Sequence, residues 1–578
     1  MKFPSTYDKQ PTVNISSSSR DCAVGWPAVA ERLRGCKAGT LCVECYPGAL
    51  VEEIEQALTN ALQPSQVFRT SECMKTPQEV DAMLAPYLGD DPVFGRMNGI
   101  ELADFFDPKR FSAARERIAK GQCKILVIGT GASLLAPEAD VLVYADMARW
   151  EIQLRQRNNE IANLGAENHK ERASLKYKRA FFVDWRVTDR LKKRILPRID
   201  FVLDTNARQN PKLISGDLFW RSLEAAARRP FRVAPFFDPG PWGGEWMRRV
   251  IGLPEEPPNF AWCFDCVPEE NSLLLGFGSV RVEIPSIDLV FSHPRELLGE
   301  AVYGRFGTEF PIRFDMLDTM EGGNLSLQVH PLTEYIQDKF GMHYTQDESY
   351  YLLDAGEDAV VYLGLKEDVN PDTMFKSLEC AEQGGAAFPA EQFVNRWPVK
   401  KHDHVLIPAG TVHCSGRNCM VLEISATPYI FTFKLWDWGR LGLDGEPRPV
   451  HLGHGRENIQ WERKTEWVRK NLLNRIETIA SADGWCEERT GLHEREFIET
   501  RRHWFTGKVE HDTRGGVNVL NLVEGPEIVI ESPDGAFDPY IIHYAETFIV
   551  PAAVSRYSIR PTRPGRCATV KAYVRTNP

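Results

Sequence analysis

The chain has 578 residues, of which 43% are hydrophobic, so it can build about two to four domains with buried cores. Its formal net charge of −11 does not favour binding to nucleic acid or to an anionic membrane surface. The first 21 residues contain no continuous apolar run, and no stretch of about 18 apolar residues occurs. We therefore expect a soluble, cytoplasmic protein.

The first 230 residues alternate strand-like and helix-like segments. The strand TLCVECYPG is followed by ALVEEIEQALTNAL, whose apolar residues recur at helical spacing. CKILVIGTGASLL and ADVLVYADM are continuous apolar runs, which are typical of buried parallel strands. The alternation predicts a doubly wound α/β domain over residues 1–230.

The composition of the sequence changes near residue 230, where proline, glycine and aromatic residues become frequent. Short strands separated by turn residues follow, and a more helical insert occupies about 365–396. This pattern predicts two small antiparallel barrels of the jelly-roll type. We place the first in residues 231–480 and the second in residues 481–578.

Candidate metal ligands lie on three predicted strands of the first barrel. Gln328 and His330 share one face of a strand, because side chains alternate faces. Glu348 begins a strand nearby, and His413 ends a Pro-x-Gly-x-x-His turn in IPAGTVHCSG. Imidazole, carboxylate and amide oxygen together suit a divalent ion such as zinc. A lone interior histidine is more often a core residue, but four such side chains converging favour a metal site.

Five motifs in order resemble those of type I mannose-6-phosphate isomerases of the cupin superfamily. They are PGPWGGEWM, LSLQVHP, DESYYLLDA, IPAGTVHCSG, and FKLWDWGR followed by RPVHL. The resemblance covers about 232–578 and implies cupin domains with zinc bound by Gln328, His330, Glu348 and His413. It also implies a metal-dependent enzyme that interconverts mannose 6-phosphate and fructose 6-phosphate through a cis-enediol.

The resemblance further implies that Ser326 lies near the substrate phosphate or hydroxyls. The other charged candidates nearby are Asp347, Lys434, Asp437, Arg440 and Glu423. We expect Lys434, Arg440 and Asp347 to serve in catalysis and Glu423 to bind the substrate, although a solvated position at the barrel rim explains each of them as well. Two positions depart from the family pattern, and both lie near the metal. Gln346 replaces a lysine two residues before the ligand glutamate, and Lys434 replaces an arginine. Since lysine offers only a point charge where arginine offers a planar fork, the second replacement is not conservative.

Two other functions remain open at the level of sequence. The loss of a titratable lysine at position 346 favours a non-catalytic protein that binds and senses a sugar phosphate. A cupin isomerase of another sugar is the second alternative. Manganese, iron or cobalt could replace zinc with these ligands. The sequence does not give the oligomeric state.

The first domain resembles a degenerate uridine-kinase-like P-loop phosphotransferase. VIGTGASLL and VLVYADM followed by a basic helix carry this resemblance. The phosphate-binding loop would fall at Glu44–Ala49, where the required lysine and serine or threonine are missing. We therefore expect a domain that has lost phosphoryl transfer. Arg149, Arg155 and Arg157 could grip an anion, although a solvated basic helix face explains them more simply.

Thirteen cysteines are scattered through the chain and include two C-x-x-C pairs, Cys42/Cys45 and Cys263/Cys266. Both pairs lie in apolar, strand-like segments that are far apart in the sequence. We expect reduced, buried thiols rather than a shared zinc site.

Overall fold

The computed structural model describes residues 6–36, 38–121, 123–427, 429 and 431–576. The chain forms two compact units. Unit 1 contains residues 1–11, 227–269 and 294–578, and unit 2 contains residues 12–226 and 270–293. The units are therefore interleaved in sequence rather than joined end to end at residue 230.

The strands and helices are numbered separately in chain order. The strands are β1 (Thr12–Asn14), β2 (Ala23–Val24), β3 (Thr40–Cys45), β4 (Gln66–Arg69), β5 (Ile125–Gly129), β6 (Val141–Asp146), β7 (Phe201–Asp204), β8 (Lys212–Ser215), β9 (Phe236–Asp238), β10 (Trp262–Cys266), β11 (Ser272–Phe277), β12 (Val280–Pro285), β13 (Arg313–Asp318), β14 (Leu327–Val329), β15 (Asp347–Ala355), β16 (Val360–Leu365), β17 (Val394–Pro398), β18 (His404–Ile407), β19 (His413–Ser415), β20 (Cys419–Ala426), β21 (Phe433–Trp436), β22 (Glu477–Ala482), β23 (Trp485–Gly491), β24 (Ile498–Phe505), β25 (Val509–Asp512), β26 (Asn518–Glu524), β27 (Glu527–Glu531), β28 (Tyr540–His543), β29 (Thr547–Val550), β30 (Arg556–Pro561) and β31 (Cys567–Val574).

The α-helices are α1 (Gly25–Gly35), α2 (Val51–Leu62), α3 (Pro77–Leu88), α4 (Pro108–Lys120), α5 (Ala132–Leu135), α6 (Arg149–Arg157), α7 (Ala173–Arg179), α8 (Trp185–Ile195), α9 (Gly216–Ala226), α10 (Trp246–Val250), α11 (Ile287–Ser292), α12 (Pro294–Leu298), α13 (Glu300–Phe306), α14 (Thr333–Phe340), α15 (Pro371–Glu382), α16 (Ala390–Phe393), α17 (Leu452–Asn458) and α18 (Thr465–Asn471). A π-helical segment, Ala180–Asp184, joins α7 to α8, and short 3₁₀ turns cover Ser19–Asp21, Thr70–Cys73, Leu102–Phe105, Leu196–Arg198 and Ala552–Val554.

Unit 2 is built on a seven-stranded sheet in the order β2-β8-β7-β6-β3-β5-β4. The five strands from β7 to β4 pair in parallel, while β8 and β2 are antiparallel additions at one edge. Every residue of β5 and β6 is buried, as expected for strands covered on both faces. The predicted parallel sheet is confirmed. The hairpin β11–β12 also belongs to this unit and pairs with β1.

The first barrel of unit 1 consists of two antiparallel sheets. One has the order β18-β15-β20-β13-β10-β9 and the other the order β17-β16-β19-β14-β21. Helices α15 and α16 lie between β16 and β17 in the chain, where the sequence predicts a helical insert. Asn370 caps α15 by accepting a hydrogen bond from the Thr373 backbone, and Pro371 occupies its first turn.

The second barrel contains a six-stranded sheet, β22-β23-β24-β31-β26-β29, and a four-stranded sheet, β25-β30-β27-β28. Apolar side chains from both sheets form its core, among them Phe505, Leu520, Ile530, Phe548 and Ile559. Alternation of inward and outward side chains along each strand supplies this core.

Among the described residues, no helix combines the length and the apolar character that crossing a membrane requires.

Candidate metal centre

The four predicted metal ligands come from both sheets of the first barrel. Gln328 is the middle residue of β14, and His330 follows that strand directly. His413 begins β19 and lies opposite Gln328 in the sheet register. Glu348 is on β15 of the other sheet, so its side chain reaches the histidines across the barrel interior. The structure therefore brings together residues that are as many as 85 positions apart.

The distances within this group are those of a ligand cluster. The Nε2 atom of His413 is 2.7 Å from one oxygen of Glu348, and the Nε2 atom of His330 is 3.1 Å from the other. One donor atom from each of these three residues lies within 4.8 Å of the others. The side-chain amide of Gln328 is 3.3 Å from the Nε2 atom of His413. His330 and His413 are completely buried.

Backbone carbonyls fix the tautomer of both histidines. The Nδ1 atom of His330 is 2.7 Å from the carbonyl oxygen of Phe431, and that of His413 is 2.8 Å from the carbonyl oxygen of Thr411. A carbonyl can only accept, so each Nδ1 carries a proton, and the Nε2 atom of each ring faces Glu348. A divalent cation bound in place of the Nε2 protons would pair with the same carboxylate. Two imidazole nitrogens and a carboxylate oxygen, all buried and within 4.8 Å of one another, form a donor set that fits a divalent metal.

The Glu348 carboxylate is held in its charged form. Burial alone would raise its pKa, but the neighbouring His330 and His413 lower the pKa well below the ordinary value. Gln346 donates a hydrogen bond to Glu348 at 3.1 Å and accepts one from the Phe431 backbone at 3.1 Å. The residue that replaces the family lysine is therefore a fixed hydrogen-bonding partner of the ligand carboxylate.

The turn before His413 depends on Gly410. Its φ of +87° is one that other residues rarely adopt, and a Cβ atom there would lie 2.9 Å from the Asn458 carbonyl oxygen. The Gly410 backbone N–H donates to the His330 carbonyl at 3.0 Å, and the Gly410 carbonyl accepts from Gln460 at 2.9 Å. The turn thus ties the two histidine segments together.

A cluster of cations surrounds Asp437 beside the candidate metal ligands. Arg448 donates to Asp437 at 2.6 Å and to the Ser326 hydroxyl at 2.7 Å, and Ser326 donates to Asp437 at 2.9 Å. Arg440 donates to the same carboxylate at 2.9 Å. With Lys434, three cations face one carboxylate, which leaves an excess of positive charge for an anion. Only about a sixth of each guanidinium-bearing side chain is exposed.

Sequence reasoning did not select Arg448, although it lies in the RPVHL segment that carries part of the family resemblance. Its position in that motif is the sequence feature that could have identified Arg448 as a site residue. Arg448 lies in a loop, where no strand periodicity indicates the direction of a side chain.

Lys434 lies opposite Gln328 in the sheet register. Burial, followed by the positive charge of Arg448, lowers the pKa of Lys434 to about 8, and Asp437 opposes the shift. Lys434 is therefore close to the range in which it can both give and take a proton near neutral pH.

Glu423 and Asp347 occupy different surroundings. Glu423 is buried on β20, where burial and then the charge of Glu348 raise its pKa well above the ordinary value. Asp347 precedes Glu348 on β15, so its side chain points to the opposite face. Its carboxylate accepts a hydrogen bond from the Ala409 backbone at 2.8 Å. The structure thus places Asp347 beneath the turn that carries His413.

In unit 2, the loop after β3 contains no phosphate-binding constellation. The Glu44 carboxylate accepts hydrogen bonds from the backbone N–H groups of Gly131 and Ser133 at 2.6 and 2.8 Å, and from the Ser133 hydroxyl at 2.7 Å. Burial raises the Glu44 pKa to about 7, while these hydrogen bonds lower it. The glycine-rich loop therefore already binds an anionic group of the protein itself.

The basic helix α6 also uses its arginines internally. Arg149 is buried and donates to Asp189 at 2.5 Å. Arg155 is buried and donates to three backbone carbonyls, those of Gly48, Thr205 and Asn206. These two residues stabilise the loops around the sheet rather than facing solvent, and Arg157 stacks on Trp150. The cysteines Cys42, Cys45, Cys263 and Cys266 are buried and free.

Comparisons with known proteins found similarities in both the α/β unit and the barrels. Residues 25–228 match the model of a domain of unknown function, DUF8485. The chain is 28% identical to a mannose-6-phosphate isomerase of Streptococcus mutans over 213 residues, which are 36% of this chain and 61% of that protein. It is 26% identical to the mannose-6-phosphate isomerase ManA of Bacillus subtilis over 237 residues, which are 40% of this chain and 68% of that protein.

Part of the chain is homologous to mannose-6-phosphate isomerases. It spans less than two thirds of the length of the Streptococcus mutans relative. Among solved structures, the mannose 6-phosphate isomerase of Bacillus subtilis aligns with a TM-score of 0.50 at 19% identity, over 60% of this chain and 100% of that one. This match shows a shared cupin-type fold over part of the chain. The comparisons do not support the uridine-kinase-like prediction for the first domain.

Proposed function

We propose that the protein is a metal-dependent aldose–ketose isomerase that interconverts mannose 6-phosphate and fructose 6-phosphate through a cis-enediol. One observation carries the proposal: the metal-ligand set and the cluster of cations around Asp437 both include a residue of the same short chain segment. Gln328 belongs to the first and Ser326 to the second, and residues two apart on a strand are about 7 Å apart. Homology of part of the chain to mannose-6-phosphate isomerases supports the same reaction.

Gln328, His330, Glu348 and His413 would hold the dication. Two imidazole nitrogens with a carboxylate and an amide oxygen suit zinc, and manganese, iron or cobalt could take its place. When bound, the metal supplies Lewis-acid polarisation of the oxygens on C1 and C2 of the sugar.

The chain's own residues would seat the phosphate and the hydroxyls. Arg440 and Arg448 present planar forks that suit phosphate oxygens, and the excess of positive charge around Asp437 matches an incoming phosphate dianion. The Ser326 hydroxyl already contacts Arg448 and would bind a phosphate oxygen or a sugar hydroxyl. Glu423, beside Glu348, would bind a hydroxyl group.

Lys434 is the candidate for moving the proton between adjacent carbons. Isomerisation requires one group to accept a proton from one carbon and return it to the next, and the Nζ atom of Lys434 can do both. Arg440 stays charged and would instead stabilise the developing negative charge on the enediol oxygens. In place of a catalytic role, we assign Asp347 the positioning of the turn that carries His413, through its contact with Ala409.

The test is turnover of mannose 6-phosphate by the zinc-loaded protein, followed as formation of fructose 6-phosphate. We expect Arg448→Met to raise KM by about ten- to a hundredfold, because it removes charged hydrogen bonds to the phosphate. Exposed Arg417→Met, elsewhere on this barrel, serves as the matched control. Absence of product while one metal ion per chain is bound would refute the isomerase.

A second candidate is a sugar-phosphate sensor without catalysis. Gln346 favours it, because a residue held between Glu348 and the Phe431 backbone cannot shuttle a proton as a lysine could. A thermal shift on addition of mannose 6-phosphate without product would support the sensor. Screening other aldoses with and without a 6-phosphate would identify an isomerase of a different sugar.

A further inference from the structure

The interior of the second barrel changes character along its strands. On β24, Arg501, His503 and Phe505 share one face, and Phe505 belongs to the apolar core. On β31, Cys567 lies in that core, whereas Lys571 lines a cavity farther along. One end of the barrel is therefore filled by apolar side chains, and the other end is lined by polar ones.

The polar end encloses a cavity of about 330 Å³. Its wall includes Glu487, Arg501, His503, His511, Lys571 and Tyr573. A second cavity of about 360 Å³ shares Arg501 and Tyr573 with the first, so the two adjoin. Volumes of this size accommodate small metabolites. The candidate metal ligands of the first barrel do not line either cavity.

Two buried histidines in the cavity wall have unpaired polar atoms. Neither ring nitrogen of His503 has a hydrogen-bond partner, and the Nε2 atom of His511 has none. Each side chain is only 7% exposed, so bulk water does not compensate fully for these groups. Leaving a polar atom buried and unpaired costs free energy, and a bound ligand would remove that cost.

The surroundings keep both rings neutral. Burial lowers the pKa of His503 to about 4, and burial followed by Lys571 lowers that of His511 well below its ordinary value. His511 is also stacked on Tyr557, with ring centroids 5.0 Å apart, which fixes its plane. A neutral imidazole offers one donor and one acceptor, which is the pattern that a hydroxyl group satisfies.

Lys571 supplies a positive charge deep in the same cavity. Its side chain is 11% exposed, and its ion pair with Glu487 is long, at 3.9 Å. Burial lowers its pKa to about 8, so most of the population is charged at neutral pH. Arg501 lies next to Lys571 in the sheet register, and exposed Arg514 lies at the rim. Arg501 is ion-paired with Glu499 at 2.6 Å, and an anionic group entering the cavity would pair with Lys571 and Arg514 and share Arg501.

We propose that this cavity binds a small anionic polyol of the sugar phosphate class, at a second site separate from the metal centre. Its phosphate would contact Lys571, Arg501 and Arg514, and its hydroxyls would pair with His503 and His511. This site does not depend on the isomerase reaction and would exist in a catalytic or a non-catalytic protein.

The test is isothermal titration calorimetry of the full chain with fructose 6-phosphate. Lys571→Met removes the cavity cation and Arg448→Met weakens the site in the first barrel. We expect two sites in the native protein, one in each variant, and a loss of about ten- to a hundredfold in affinity at the altered site. Lys508→Met changes an exposed lysine of the same barrel and leaves both sites unchanged.

The outcomes separate the two proposals. A single site in the native protein that Lys571→Met abolishes and Arg448→Met preserves would support the second-barrel site and count against the isomerase. Unchanged binding in Lys571→Met would overturn the second-barrel site. Inorganic phosphate binding there as tightly as fructose 6-phosphate would overturn the roles of the histidines. If Lys571→Met does not fold, His503→Phe, which removes both ring nitrogens from the cavity wall, replaces it and should likewise lose one site.

Discussion

Single side chains decide whether the metal centre can work. His330 and His413 each donate a hydrogen bond from Nδ1 to a backbone carbonyl, so both Nε2 atoms face the metal centre. The tautomer is thus set by the main chain and not by another side chain that could titrate.

We expect His330→Ala to weaken zinc binding by at least about a hundredfold, because it removes a direct ligand and leaves Glu348 with one imidazole. The zinc-dependent rise in melting temperature should disappear with it. Metal content by mass spectrometry and melting curves with and without zinc provide the two measurements. His343→Ala, which changes an exposed histidine of the same barrel, is the control, and full metal content in His330→Ala would contradict the ligand set.

The residues that could be predicted from sequence are those governed by strand alternation and a motif. Gln328 and His330 follow the two-residue period, and the Pro-x-Gly-x-x-His turn specifies His413. By the same alternation, Asp347 faces the other side of β15 from Glu348. Arg448 could not be placed, because a loop has no period.

At the scale of elements, the turn Pro408–Gly410 links the two sheets at the metal centre. The Gly410 amide reaches the His330 carbonyl, so the position of β19 depends on the segment after β14. Loops of this kind carry functional residues because rigid strands on either side fix their ends.

We expect Gly410→Ala to destabilise the protein by about 1–3 kcal/mol and to weaken zinc binding, since its Cβ would collide with the Asn458 carbonyl at positive φ. The matched control is Gly384→Ala, which also has positive φ but has no heavy atom within 4 Å of its added Cβ. Chemical denaturation and zinc titration measure the two effects. Equal losses in the two variants would mean that backbone strain alone, and not the collision, matters at Gly410.

The parallel sheet and the two barrels were predictable because periodicity and turn residues mark them locally. The pairing of β1 with β11 could not be predicted, because no local pattern encodes a contact between segments about 260 residues apart. The membership of residues 270–293 in unit 2 was missed for the same reason.

At the scale of the whole molecule, buried neutral histidines make stability depend on pH. His404 is fully buried on β18, and burial, then Arg502, lowers its pKa to about 3. Its pKa in the unfolded chain is about 6.5. The unfolded state therefore takes up the proton first, so the contribution of His404 is fully present above pH 6.5 and is lost as the pH falls towards 3.

We expect the native protein to lose about 2 kcal/mol between pH 8 and pH 5 through His404 alone, and His404→Leu to remove that part of the loss. Denaturant unfolding at the two pH values, performed on metal-free protein, measures the difference. His343→Leu, at an exposed site, should keep the full pH dependence. An unchanged slope in His404→Leu would show that His404 is not the titrating group.

The interleaving of the two units has a consequence for how this protein can be inherited and cloned. The backbone passes from one unit to the other between residues 11 and 12, 226 and 227, 269 and 270, and 293 and 294. A gene fragment ending near residue 230 would lack β11, β12 and Asp288, the carboxylate that shares buried Lys192 with Asp146. The α/β unit and the barrels therefore cannot be exchanged as end-to-end cassettes, and recombination that preserves both must move the coding sequence as one piece.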